Sequence, residues 1–249
     1  MNAPLDFGRC LSFVNSQLMP NAKAAAPAEQ KMRWRVVTIS RQTGTGGYLI
    51  AEMLAELLQK HVAQGENSWM VFDRNLVERV LEEHDMPARL SSFMPEDRIP
   101  GIQDTLDELF GLHPASLTLV EKIGETVLQL AELGNVILIG RGANIITSKL
   151  EYAFHVRLIG SLDARVDFLR ADRNLDRQTA LGLIHHEDEG RKRYLKKYFH
   201  KDLDDPLLYH LIINTPVVGH EKAAKLIAEA MGCEPVERGS SVSTRKSTG

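Results

Sequence analysis

Residues 34–58 read WRVVTISRQTGTGGYLIAEMLAELL. A short apolar, β-branched run from Val36 to Ile39 meets a turn that carries Gly44, Gly46 and Gly47. An amphipathic helix pattern follows at once. Strand, glycine loop and helix in that order build a phosphate cradle. The glycines let backbone N–H groups close around an anion, and the helix N-terminus adds its positive end. The common phosphate-loop motif is G-x-x-x-x-G-K-[ST]. On that template the first glycine is Arg41, the second is Gly46, the lysine is Gly47 and the Ser/Thr is Tyr48. The loop has the shape of the motif without its lysine or its metal-binding hydroxyl.

Two other readings compete at this loop. A plain tight turn would also use three glycines, but the flanking strand and helix are what an anion site requires. A dinucleotide site would place Asp73, at the end of the second strand, on a ribose. Against it, G-T-G-G does not continue as G-x-G-x-x-G, because the last position is Leu49.

Outward from the loop, short apolar segments alternate with helical ones. Strands are expected over 35–40, 69–73, 136–140, 154–159 and 211–214. Helices are expected over 48–64, 75–84, 102–110, 115–133, 162–172, 177–199 and 221–231. Apolar strands separated by helices indicate a parallel sheet covered on both faces. Residues 1–33 form a separate zone: a short amphipathic segment, then a linker, NAKAAAPAEQK. Residues 34–233 make the folded domain, and residues 234–249 read as a polar, disordered tail.

The net charge of -3 argues against a general nucleic-acid binder. No apolar run approaches a membrane span, and Asp6 and Arg9 interrupt any leader-like N-terminus. Cys10 and Cys233 stand far apart, outside metal-ligand spacing, as in a reduced cytoplasmic protein. His185 and His186 are adjacent and cannot share a helix face as a metal pair would, so no metal site is assigned.

Two further segments carry chemistry. In VILIGRGAN, Arg141 sits between Gly140 and Gly142 at the carboxyl end of a strand. Ligands bind at that edge of a parallel sheet, and a planar guanidinium fits a phosphate or a base. The segment HHEDEGRKRYLKKYFHK is basic; on charge alone it reads equally as a solvated face.

ISRQTGTGG, VFDRNLVERV, ILIGRGAN and RKRYLKKYFHKDLDDPLLYHLIINT occur in this order. Together they resemble the cytidylate kinase-like family, a branch of the P-loop nucleoside monophosphate kinases. The resemblance implies a three-layer α/β P-loop kinase fold. Its parallel sheet would have about five strands, with a helical acceptor-binding insertion and a lid. It implies ATP and Mg2+ as cofactors, small-molecule nucleotides as partners, and phosphoryl transfer to CMP or dCMP. Gly44, Thr45, Gly46, Gly47 and Tyr48 would hold the triphosphate, and Arg41 would supply part of the missing lysine's charge. Asp73 and Arg74 would begin the acceptor-binding segment. Gly140-Arg141-Gly142 stands where the relatives have G-R-D, so Arg141 would face the acceptor while the aspartate is absent. Asp188, Arg191 and Arg193 fall in the arginine-rich lid: Asp188 on the substrate, the two arginines on the transferring phosphoryl group. A lost lysine contact is worth on the order of 3 kcal/mol of transition-state stabilisation. A second class therefore stays open, a nucleotide-binding protein with little or no kinase activity. Oligomeric state is not legible.

Overall fold

The computed structural model describes Gly8, Ser12, Phe13 and residues 34–62, 68–82 and 118–233. Five strands form one parallel sheet: β1 (Val36–Arg41), β2 (Met70–Phe72), β3 (Val136–Ile139), β4 (Ala153–Ile159) and β5 (Leu211–Asn214). Their spatial order is β2-β3-β1-β4-β5. The helices are α1 (Gly47–Gln59), α2 (Arg74–Glu82), α3 (Thr118–Leu133), α4 (Ala143–Ile146), α5 (Leu162–Arg173), α6 (Arg177–Phe199), α7 (Thr215–Val218) and α8 (His220–Ala230). The expected elements are there with ends shifted by a few residues; α6 and β5 keep the expected bounds. The helix expected over 102–110, most of the insertion, the linker and the tail lie outside the described residues.

The pleat divides the core into two layers. Val36, Val136, Leu138, Met70 and Phe72 face one side, against α2, α3 and the end of α6. Val37, Ile39, Ile137, Ile139 and Val71 face the other, where α1 and α8 pack. Phe13 belongs to the first layer, with its ring 6.0 Å from Phe72.

The strand order removes the dinucleotide alternative. That fold sets its second strand beside the first. Here β3 lies between β1 and β2, which puts Asp73 at the sheet edge. Asp73 caps α2 instead, its Oδ1 accepting from the Leu76 N–H at 2.8 Å.

Away from the carboxyl edge, His155 is buried on β4. Its Nδ1 lies 2.9 Å from Thr38 Oγ1, and its ring stacks on His210 at 4.9 Å. Burial, with His210 adding to it, pushes the His155 imidazole down to about 4. An unfolded histidine takes its proton near 6.5, so the unfolded chain binds more protons between those values. The stability is therefore full above about pH 6.5 and is lost as pH falls towards 4, by on the order of 3 kcal/mol. Urea unfolding of the wild type and His155→Gln checks this. The gap between the two should narrow from about pH 7 to about pH 4.5; a constant gap would refute it.

Candidate functional site

Every chemistry-bearing segment reaches the carboxyl edge of the sheet. Ile39 pairs with Ile139, which brings Arg41 level with Arg141 just beyond the end of the neighbouring strand β3. The loop between β1 and α1 turns on Gly44 (φ 85°) and Gly46 (φ 72°). Thr45 closes it inside, its hydroxyl donating to the Gln42 carbonyl at 2.8 Å. The Thr45 carbonyl accepts from Thr215 Oγ1 at 2.9 Å, which anchors the loop to the end of β5. A Cβ on Gly44 would stand 2.5 Å from the Arg165 carbonyl, and one on Gly46 would run into the His220 imidazole. Both glycines are thus required by backbone angle and by space.

Beside the loop lies a cavity of about 560 Å³ lined by Arg41, Arg74, Arg141, Arg173 and Arg191, with Asp73 and Glu187 as its carboxylates. Guanidiniums gathered this densely depress one another. Burial is the main reason that Arg41 falls to about 10, with Arg191 and Arg141 adding to it against Glu187 and Asp73. Arg141 is also lowered, first by burial and then by Arg74. Both stay cationic at neutral pH, so the cavity favours an anion.

Arg41 has a defined path. A Cβ on Gly47 would lie 3.1 Å from its Cγ, and a Cβ on Gly140 would strike its Nη1. The side chain therefore starts over the position where the standard motif carries its lysine and ends beside Gly140, at the carboxyl end of β3. Gly47 and Gly140 keep that lane open.

Other residues singled out in the sequence fall differently. Tyr48 packs its ring against the apolar layer of α1 and α8, so it does not replace the motif's hydroxyl. Arg193 is exposed and does not line the cavity, because positions two apart on a helix point to different sides. Asp188 turns away from that cavity and reaches the loop, accepting from the Thr43 N–H at 2.8 Å. Gly142 has φ 70° and lies under Phe199, 2.7 Å from the place of a Cβ. A side chain there would need both a strained left-handed backbone and a displaced Phe199 ring.

Residues that the sequence did not single out also meet here. Arg165 is 7% exposed and donates to the Thr43 carbonyl at 3.2 Å. Asn144 is buried in the cavity wall with no hydrogen-bond partner for Nδ2, and Tyr194 lies under Arg141, 5.8 Å from its Cζ. Asn144 directly follows the Gly-Arg-Gly segment and Ala143, which was its only local signal. Arg165 had none, since it reads as an ordinary charge on a surface helix. Among the described residues no group of three or more His, Cys, Asp or Glu side chains is placed to hold a metal ion. None of the described helices is long and apolar enough to cross a membrane.

Comparison with known proteins places this arrangement. Residues 36–216 match the model of the Cytidylate kinase-like family. A cytidylate kinase of Methanocaldococcus jannaschii is 24% identical over 200 residues, covering 79% of this chain and 97% of that protein. The crystal structure of an uncharacterized protein from Eubacterium ventriosum superposes with TM-score 0.63 at 19% identity, over 82% of this chain and 100% of that one. A shikimate kinase from Bacteroides thetaiotaomicron gives TM-score 0.43 at 13% identity, over 80% and 98%.

Proposed function

The chain belongs to the cytidylate kinase-like family, and from that premise we propose that it transfers a phosphoryl group from ATP to a nucleoside monophosphate. Its fold is the three-layer parallel arrangement of the P-loop kinases. The observation that carries the proposal is the juxtaposition of a side-chain-free glycine loop with a cavity walled by five arginines. Phosphoryl transfer asks the protein for alignment and positive charge rather than covalent chemistry. Two phosphate-bearing substrates would approach here from opposite sides of Arg41.

The residues present fit a nucleotide. Gly44, Thr45, Gly46 and Gly47 form the cradle, and Arg41 and Arg191 face the point of transfer. Arg74 and Arg141 lie on the acceptor side. The chemistry that Mg2+ supplies when bound with the triphosphate is neutralisation of the β- and γ-oxygens. CMP or dCMP is the first acceptor to try, because the curated relative is a cytidylate kinase. With Phe199 over Gly142, no carboxylate at position 142 reads the base. Asn144 and Tyr194 are among the neutral polar groups of the lining that could do so.

The non-catalytic reading draws on one observation: no lysine enters the loop. A coupled assay over a panel of nucleoside monophosphates, with ATP binding measured in parallel, separates the two. Turnover is expected with CMP or dCMP ahead of the rest. ATP binding with no turnover on any acceptor would overturn the kinase reading.

A further inference from the structure

A carboxylate of the chain itself already sits at the mouth of the phosphate loop. Asp188 projects from α6, and its Oδ1 accepts from the Thr43 N–H at 2.8 Å and from Arg191 Nη2 at 2.7 Å. Its Oδ2 accepts from Arg165 Nη1 at 2.7 Å. Beside it, Glu187 Oε2 accepts from the Thr43 hydroxyl at 2.8 Å and lies 3.4 Å from Arg191 Nη1. The Thr43 hydroxyl in turn accepts from Arg191. Arg165 is fixed from behind by the Gly160 carbonyl at 3.0 Å and the Thr43 carbonyl at 3.2 Å.

One backbone N–H and two guanidiniums around a single anionic group make the environment of a phosphate. Guanidinium forks accept carboxylate and phosphate oxygens alike. Burial pushes the Asp188 carboxyl up, but the bonds from Thr43, Arg165 and Arg191 together bring it below the usual range, so the group is an anion. Arg165 is buried, and a buried charge without a counter-ion is strongly unfavourable. It therefore needs an anion at this place, and an incoming phosphate is a group that can take that role over from the aspartate.

We propose that Asp188 is an exchangeable stand-in for a nucleotide phosphate: the incoming triphosphate displaces its carboxylate from Thr43, and Arg165 and Arg191 pass to the phosphate oxygens. No covalent bond changes in this exchange. It rests on the nucleotide-binding reading above and adds Arg165, from α5, to the groups that offset the absent lysine.

The cost of such an occupant is apparent affinity, which falls in proportion to the fraction of time the seat is open. Asp188→Asn keeps the shape but turns charge-assisted bonds into neutral ones of about half the strength. Calorimetry should then find ADP and inorganic pyrophosphate binding more tightly than to the wild type. The gain is roughly tenfold if the seat is open one time in ten. Unchanged or weaker binding by the variant would overturn the proposal.

A second arm uses the wild type and does not depend on how well the variant folds. In a crystal structure with ADP or pyrophosphate, phosphate oxygens should occupy Thr43 N, Arg165 and Arg191, with Asp188 withdrawn. A complex in which Asp188 keeps all three contacts would refute the exchange while leaving the kinase reading intact. A wild type that binds neither ligand would end both.

Discussion

Arg41→Ala is expected to lower kcat by about 10²- to 10³-fold while leaving ATP affinity within a few-fold of wild type, the signature of a group whose contacts strengthen in the transition state. The side chain begins over Gly47 and ends against Gly140, so it crosses from the loop to the carboxyl end of β3. It reaches there as a guanidinium that burial and its arginine neighbours have already destabilised. Charge that develops on a transferring phosphoryl group would relieve that destabilisation. The fold should survive, because removing an incompletely paired buried charge costs little. Steady-state kinetics with ATP and the preferred acceptor check the point. Full turnover in Arg41→Ala would move the charge to Arg165, Arg191 or Arg141 and refute the assignment.

The same path revises what restoring the motif should do. A lysine at position 47 would start 3.1 Å from Arg41 Cγ, in an occupied lane. Gly47→Lys alone is therefore not expected to raise the rate. In the Arg41→Ala background the lane is empty, and the lysine should recover part of the lost kcat. Recovery in the wild-type background instead would show that Arg41 does not fill that space.

Gly46→Val is expected to abolish ATP binding and also to destabilise the protein. Gly46 holds φ 72°, a region that costs a β-branched residue about 1–3 kcal/mol. A Cβ there would collide with His220, the first residue of α8, whose ring also contacts Phe168 edge-on at 5.1 Å. The melting temperature should drop by on the order of 5–10 °C for a chain of this size. Calorimetry and thermal unfolding in parallel read both effects. ATP affinity equal to wild type would remove the cradle from the loop. Lost binding at an unchanged melting temperature would show that His220 yields without cost.

What the sequence determined by itself was local and periodic. The run from Val36 to Ile39 could only be a buried strand, and three glycines before an amphipathic helix could only be a turn that exposes backbone. The same periodicity bounded α6 at Arg177 and Phe199, where Asp176 caps its start through the Thr179 N–H. Ordered motifs were enough for family and fold class, because each depends on residues close together in the chain. Even the outward position of Arg193 follows from helix phase, once Arg191 is known to face in.

Tertiary structure decided the rest. The crossover that sets β3 between β1 and β2 cancelled the ribose reading of Asp73, and no local pattern encodes strand order. Phe199 closed the space above Gly142 from a distant part of the chain. Arg165 and Asp188 meet Thr43 across separations of 122 and 145 residues. A charged side chain on a helix carries the same local signal whether it faces water or a phosphate loop. Which one it faces is set by how the sheet brings distant helices over one edge, and there burial and charge act together on residues that the sequence keeps apart.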